Sequence, residues 1–167
     1  PNSHEFAVSQ GCNVQVTPLH QPHEEVVSLM DRFNAACAAH PEVPRPKILI
    51  LQHGFVARDE ADADLAAQEL NAFYCYFGAW FLNKRPIHQG LIQPLTPEEI
   101  AAHPFYTPAA MRQNLLIGTA PEVIDRLRKI EALGYDEFSL WIDSGMSFER
   151  KRDSLRRFID DVMPAFA

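Results

Sequence analysis

The sequence predicts an α/β fold in which parallel strands alternate with helices. Three segments have strand character, residues 14–17, 47–56 and 138–142, and a helical pattern follows each of them. Because the connections are long enough for right-handed crossovers, we expect the three strands to be parallel neighbours in one curved sheet. The nearly continuous apolar run at 47–56 is typical of a strand that is covered on both faces.

Length and composition exclude several classes of protein. A chain of 167 residues is expected to form a single domain over residues 1–167 with a sizeable core. The formal net charge of −7 and the lack of a basic run argue against a nucleic-acid partner. The longest apolar stretch, residues 73–82, is too short to cross a bilayer, which takes about 20 residues. Three widely spaced cysteines without a CxxC motif predict buried free thiols in a reducing compartment, the cytoplasm.

The first two helices are bounded by recognisable start and stop residues. Asn2 or Ser3 can cap a short helix over residues 5–10, which Gly11 ends. A longer helix starts at Pro22 and carries an apolar stripe at the helical period, formed by Val26, Met30, Phe33 and Cys37.

The middle of the chain combines an aromatic helix with a proline-rich region. Asp59 opens an acidic first turn, which favours a helix that runs toward Trp80. The second half of this helix is almost entirely aromatic. Five prolines in residues 83–114 forbid any long regular element there, so we expect only short helical turns at 98–102 and 109–114.

The last third predicts helix, strand and helix. Thr119 and Glu122 have the spacing of a capping box, and Gly134 ends the helix that follows. After the strand, a final helix is expected to end at Pro164. Its apolar face is predicted to comprise Leu155, Phe158, Ile159 and Val162.

Most motifs that would carry chemistry are missing or weak. The sequence has no GxGxxG and no GxxxxGK[ST], and Asp143-Ser144-Gly145 is not a nucleophile elbow. His20 and His23 lie three residues apart, but no third ligand is near in sequence, so we interpret them as solvated loop histidines and predict no metal site.

Two helix starts could bind an anion through backbone N–H groups and a hydroxyl. At Gly118-Thr119 we favour simple capping, because Glu122 completes the capping box and would repel a phosphate. At Asn2-Ser3-His4 both interpretations, capping and phosphate binding, stay open.

The carboxyl ends of parallel strands are where reactive groups lie in such folds. Here they are residues 17–20, 52–55 and 143–146, which are candidate pocket walls. The aromatic helix follows one of these ends, and Phe73, Phe77 and Trp80 are candidate substrate-pocket residues. Core packing is the alternative interpretation of these rings.

Several motifs in their order resemble the C-terminal part of bacterial luciferase-like flavin monooxygenases. The segment 114–123, NLLIGTAPEV, is similar to the family's "GTPEEV" helix, and Gly134-Tyr135-Asp136-Glu137-Phe138 is similar to its "G-D-F" strand. Val162-Met163-Pro164 matches the closing "V-x-P". Asn2-Ser3-His4-Glu5-Phe6-Ala7 is similar to the turn and helix after the family's fifth strand. The likeness covers nearly this whole chain but only about half of a family member, which, with Pro1 in place of Met, suggests a fragment.

The resemblance implies the C-terminal half of a (β/α)8 TIM barrel, with strands six to eight and an excursion at residues 58–114. It places the flavin phosphate at Asn2, Ser3 and His4, and it leaves the catalytic residues outside these 167 positions. The implied activity is oxygenation of a largely apolar small molecule by dioxygen and reduced FMN from a separate flavin reductase, in a homodimer. Alternatives are an F420-dependent oxidoreductase of the same superfamily and a non-catalytic half-barrel interaction domain.

Overall fold

A computed structural model describes residues 3–81 and 85–167. The elements along the chain are α1 (Ser3–Ser9), β1 (Val14–Val16), α2 (His23–Ala39), β2 (Ile48–Val56), α3 (Glu60–Phe81), β3 (Ile87–His88), β4 (Leu91–Ile92), α4 (Pro97–Ala102), α5 (Pro108–Asn114), β5 (Leu116–Gly118), α6 (Ala120–Ala132), β6 (Glu137–Trp141) and α7 (Phe148–Arg157). A π-helical turn (Phe158–Val162) and a 3-10 turn (Met163–Phe166) follow α7.

The sheet is built around β2, and its pairings confirm the predicted parallel arrangement. Leu49 pairs with Gln15 of β1 and with Glu137 of β6, both in parallel, so β1 and β6 flank β2 on opposite sides. The short strand β5 pairs in parallel with the carboxyl end of β2, from Gly54 to Val56. The most apolar strand is therefore the central one.

Helices cover one face of this sheet. Ile48 and Ile50 of β2 pack against α2 and Ile130 of α6. Val56 and Leu140 pack against the other apolar side chains of α6 and against Val162. Because side chains of a strand alternate between faces, His53 of β2 and Trp141 of β6 lie on the face opposite these helices.

The proline-rich region contains more strand than the sequence predicts. The expected short helices are confirmed as α4 and α5, but the antiparallel hairpin β3–β4 and the strand β5 were not expected. Each of these strands has only two or three residues, too few to show a period. β5 exists because it pairs with β2, which is a tertiary contact.

The C-terminal end corrects two expectations. Ile159, predicted on the apolar face, is 49% exposed, whereas Val162 is fully buried. The π-helical turn changes the angular spacing after Arg157, so Ile159 leaves the apolar face, while Phe158 and Val162 stay on it. Pro164 does not end the helical path, because it lies inside the 3-10 turn Met163–Phe166.

The structure tests two predictions from composition, the burial of the cysteine thiols and the lack of a membrane-spanning segment. Cys12 is exposed and Cys37 and Cys75 are half-buried, so the expectation of buried thiols is wrong, although all three are free. Within residues 3–81 and 85–167, no helix is both long and apolar enough to cross a membrane.

Candidate active site

His53 lies at the carboxyl end of the central strand and is fully buried. Its Nδ1 is 2.7 Å from the hydroxyl oxygen of Tyr74 on α3, and its Nε2 is 3.1 Å from the main-chain oxygen of Asp143. A carbonyl oxygen only accepts, so Nε2 carries the proton and Nδ1 accepts the hydrogen bond from the Tyr74 hydroxyl. Burial lowers the pKa of His53 to about 4, which keeps the ring neutral at physiological pH.

Phe73, Phe77 and Trp141 form a group of neighbouring rings next to His53, which we call the aromatic recess. The Trp141 indole stacks on the His53 ring, with centroids 3.9 Å apart and planes 17° apart. Phe77 stands at 85° to the indole at 6.1 Å, and Phe73 stacks on Phe77 at 5.3 Å. All three rings are half-buried. The recess thus presents one indole and two phenyl rings at the carboxyl end of β2 and β6.

The loop after β6 lies next to Phe73 of this recess. Gly145 has a φ of +75°, a conformation that L side chains rarely adopt, and a Cβ at this position would lie 3.8 Å from the Phe73 ring. Ser144 of the same loop is buried. The loop 143–146 therefore lies next to Phe73, and residues 52–55 include His53, so both predicted wall segments lie beside the recess.

A second histidine cluster lies on another side of Tyr74. The centroid of the His20 ring lies 4.6 Å from that of Tyr74, 5.2 Å from that of Tyr106 and 6.0 Å from that of His103. His20 is buried, so the expectation of a solvated loop histidine is wrong for it, whereas His23 is exposed. Neither ring nitrogen of His20 has a hydrogen-bond partner within the described part of the chain. Burial, and secondarily the charge of His103, lower its pKa to about 4.

The predicted substrate-pocket residues divide between the recess and the surface. Phe73 and Phe77 belong to the recess and contact the core cluster around Tyr74. Trp80 is 65% exposed, and its ring lies 6.1 Å from that of Phe77. An exposed Trp80 does not fit the alternative of core packing, which stays open only for the two phenylalanines.

The predicted phosphate-binding residues lie at the start of α1, except Asn2, which lies outside the described residues. Ser3 is exposed. His4 is buried, and its pKa is lowered by burial and by the charge of Arg32. Ser3 can therefore offer its hydroxyl to an anion, whereas a neutral, buried His4 imidazole adds no positive charge.

The start of α6 is occupied by its own capping group. The Glu122 carboxylate accepts hydrogen bonds from the backbone N–H and the hydroxyl of Thr119, at 2.8 and 2.9 Å. Arg112 also contacts this carboxylate, at 3.1 Å. The favoured interpretation of Thr119 as a cap is confirmed. Among the described residues, the His, Cys, Asp and Glu side chains form no group of three that could hold a metal ion.

His53 and Trp141 were not singled out from the sequence. A histidine inside a nine-residue apolar strand is an anomaly that could have marked His53. Trp141 carries no such signal, because its contact with His53 comes from the pairing of β2 with β6, in which the two residues are register partners.

Comparison with known proteins identifies the family. The profile of the luciferase-like monooxygenases matches residues 1–137. This chain belongs to the luciferase-like monooxygenase family. A curated relative from Acinetobacter baylyi, a "flavin-dependent trigonelline monooxygenase, oxygenase component", is 65% identical over all 167 residues, which cover 46% of its length. The chain thus spans about half the length of this relative.

Solved structures of similar fold agree with a partial barrel of the luciferase-like type. A monooxygenase from Streptomyces bottropensis superposes with a TM-score of 0.67 at 22% identity, over 100% of this chain and 46% of the other. An F420-dependent secondary alcohol dehydrogenase gives 0.64 at 15% identity, over 98% and 46%. EDTA monooxygenase from Chelativorans gives 0.53 at 18% identity, over 96% and 43%. At these identities the likeness shows the fold, and β1, β2 and β6 are three parallel strands of it.

Proposed function

We propose that this chain is part of the oxygenase component of a flavin-dependent monooxygenase. The observation that carries the proposal is the 65% identity, along the whole chain, with an oxygenase component of that activity. Bound reduced flavin supplies the activation of dioxygen. This chain supplies strand ends, an aromatic recess and the start of α1, and the catalytic residues are proposed to lie outside it.

The substrate we propose is a small pyridinium carboxylate, which is charged and therefore replaces the largely apolar molecule that the resemblance implied. The relative is named for trigonelline, whose ring is a flat N-methylated pyridinium that carries a carboxylate. The aromatic recess supports this proposal, because an indole and a perpendicular phenyl ring can contact a flat ring by its face and its edge. Rings that surround the substrate also exclude water from the reacting atoms. Phe73 and Phe77 are then pocket residues, with Trp80 at the outer rim.

The flavin phosphate is proposed to bind at the start of α1. α1 leads directly into the amino end of β1, so its own N-terminus lies toward the carboxyl ends of the strands, where the recess is. Ser3 would donate its hydroxyl to a phosphate oxygen, and the backbone N–H groups of Ser3 and His4 would add to this. Asn2 is proposed as a further contact on the family resemblance alone.

The remaining features of the proposal rest on the resemblance and on the relative's name. The term "oxygenase component" supports a separate flavin reductase that delivers the reduced cofactor, which we propose to be FMN. A homodimer and a cytoplasmic location are proposed with it, and the three free cysteines are compatible with a reducing compartment.

The two alternatives have weaker support. The F420-dependent neighbour is 15% identical, so it speaks for the shared fold, whereas the 65% identical relative is named for flavin. The non-catalytic half-barrel has less support because the 65% identical relative is named as an enzyme component.

The test uses the full-length protein with a flavin reductase, NADH and dioxygen. We expect oxygen uptake that depends on the N-methylated pyridinium carboxylate, with a product heavier by one oxygen atom. FMN should support turnover and F420 should not. Turnover with F420 alone, or no substrate-dependent oxygen uptake with any reduced flavin, would contradict the proposed function.

Trp80 provides a separate test of the pocket. In Trp80→Ala, we expect weaker substrate binding and a loss of stability below about 1 kcal/mol, because the side chain is mostly exposed. A buried core tryptophan would instead cost about 3–5 kcal/mol. Thermal unfolding and substrate titration of the same variant distinguish the two roles.

A further inference from the structure

We propose that a cavity between α2 and α6 binds the oxyanion head of a small ligand, a carboxylate or a phosphate, with Arg126 as the main contact. The cavity has a volume of about 290 Å³. This is close to the lower limit of about 300 Å³ for small-molecule pockets, so it suits a ligand of a few heavy atoms. The proposed function neither requires this site nor assigns it.

The cavity lies on the face of the sheet that the helices cover. Arg126, Lys129 and Ile130 line it from α6, and their spacing of i, i+3 and i+4 puts them on one helix face. His23 lines it from the start of α2. Gln52 of β2 also lines it, and because neighbouring strand residues alternate between faces, Gln52 lies opposite the aromatic recess.

The polar part of the lining consists of basic and amide side chains, namely His23, Gln52, Gln113, Asn114, Arg126 and Lys129. Within residues 3–81 and 85–167, no Asp or Glu lines the cavity. Guanidinium, ammonium and amide groups all offer N–H donors, and an oxyanion accepts from each of them. Val26, Leu116 and Ile130 add apolar surface, against which a short hydrocarbon part of the ligand can pack.

Arg126 lacks the carboxylate partner that three other half-buried arginines have. Arg112, Arg150 and Arg157 lie 3.1, 2.7 and 3.9 Å from a carboxylate oxygen. In the part of the chain that the structure describes, Arg126 makes no ion pair, and its Nη1 donates to the main-chain oxygen of Leu115 at 2.5 Å. A guanidinium has five N–H donors, so this contact leaves others for a ligand.

The electrostatic surroundings of Arg126 favour an anion. Burial lowers the pKa of Arg126, and the positive charge of Arg112 lowers it further. The Glu122 carboxylate acts in the opposite direction and more weakly, and it is shared with Arg112. An oxyanion bound to Arg126 would stabilise its charged form and can accept two parallel N–H bonds from the guanidinium.

Hydrogen bonds hold the cavity in shape without a ligand. The Gln52 amide N–H donates to the main-chain oxygen of Asn114 at 2.8 Å. The Asn114 amide N–H donates in turn to the main-chain oxygen of His20 at 3.0 Å. These bonds connect β2, the end of α5 and the loop after β1. A preformed site reduces the entropy that is lost on binding.

Titration of the full-length protein with two anions and a neutral compound tests this site. The probes are butyrate, inorganic phosphate and butyramide, at constant ionic strength, and calorimetry gives each dissociation constant. We expect saturable binding of at least one anion, an unfolding temperature that rises with its concentration, and no binding of butyramide. Tighter binding of butyrate would assign the site to a carboxylate, and tighter binding of phosphate to a phosphate. Binding of neither anion would overturn the proposal.

Arg126→Gln is the decisive variant, and Arg128→Gln is its matched control. Both remove one positive charge from α6, but Arg128 is exposed and does not line the cavity. Arg126→Gln should weaken anion binding about tenfold to hundredfold, as the loss of a charged hydrogen bond would. Arg128→Gln should change it by less than about threefold, because an exposed charge contributes little. Equal losses in the two variants would show a response to net charge alone and would overturn the proposal.

Lys129→Gln covers the case in which Arg126→Gln does not fold. Lys129 is exposed, so its removal should leave the fold intact while it takes one cation from the cavity. Anion binding should weaken by about threefold to tenfold, more than in Arg128→Gln. In that case, binding as in the wild-type protein would overturn the proposal. Every readout is anion binding, so a failure to oxygenate the pyridinium compound would contradict the proposed function and leave this site standing.

Discussion

Tyr74 contacts two buried histidines that differ in their hydrogen bonding. His53 uses both ring nitrogens, one toward the Tyr74 hydroxyl and one toward the Asp143 carbonyl. His20 lies against the same tyrosine ring at 4.6 Å, yet neither of its nitrogens has a partner among the described residues. Burial lowers the pKa of both to about 4. Similar environments thus hold one imidazole with two hydrogen-bond partners and one without a partner in the described part of the chain.

The difference follows from which elements bury each ring. His53 is part of the central strand, and its partners come from α3 and from the loop after β6. His20 follows β1 and is covered by rings, chiefly Tyr74 and Tyr106. A buried polar group stabilises a fold when it is hydrogen-bonded and costs free energy when it is not. The two histidines should therefore respond in different ways to the same substitution.

The largest effect is expected for His53→Phe. Phenylalanine keeps a flat ring against Trp141 but leaves the Tyr74 hydroxyl and the Asp143 carbonyl without partners. Each orphaned group costs about 1–3 kcal/mol, so the free energy of unfolding should fall by about 2–6 kcal/mol. Urea denaturation measures this loss. A change below 1 kcal/mol would show that the two hydrogen bonds do not stabilise the fold.

Acid should destabilise the protein through both histidines. Each has a pKa near 4 when folded and 6.5 in the unfolded chain, so between these values the unfolded chain binds protons that the folded protein does not. Stability should therefore fall as the pH drops from 6.5 to 4, by up to about 1.4 kcal/mol per pH unit for each ring. Urea midpoints across this range give the slope. In a variant with Phe at both positions the slope should decrease, and an unchanged slope would contradict the assignment.

The elements that the sequence predicts are those with a long internal period. β2 has nine residues in an apolar run, and α2 carries a stripe of which Val26, Met30 and Phe33 are buried. β5 could not be predicted, because three residues show no period and its existence depends on pairing with β2. Local pattern determines an element only where the element is long enough to express one.

The candidate site could be located from the sequence but not assembled. Strand ends at 52–55 and 143–146 were expected to form walls, and they supply His53 and the carbonyl of Asp143 that it contacts. The contact between His53 and Trp141 depends on strand register, which no local pattern specifies. The burial of His20 depends on Tyr106, which arrives from the proline-rich region.

A smaller effect is expected for Tyr74→Phe. This change removes the hydroxyl that donates to His53 and leaves Nδ1 unpartnered, while the ring contacts with both histidines are kept. The unfolding free energy should fall by about 1–3 kcal/mol. Tyr135→Phe is a useful control, because it also removes one buried hydroxyl, which donates at 2.8 Å to the Val26 carbonyl and not to a histidine. In Tyr74→Phe, but not in the control, a freed Nδ1 should raise the apparent pKa of His53, which NMR titration can detect.

The smallest effect is expected for His20→Phe, and it gives the sharpest contrast with His53→Phe. The substitution removes no hydrogen bond, because neither ring nitrogen has a described partner, and the new ring can still stack on Tyr106. Burial of an imidazole without hydrogen-bond partners costs free energy, and the substitution replaces that polar ring with an apolar ring of similar shape. The slightly larger phenyl group offsets part of that gain by crowding Tyr74. The unfolding free energy should therefore stay within about 1 kcal/mol of wild type, on either side, whereas the same substitution at His53 costs several times more. A loss at His20 as large as that at His53 would mean that a water molecule or a ligand satisfies its nitrogens, and the two histidines would then be equivalent.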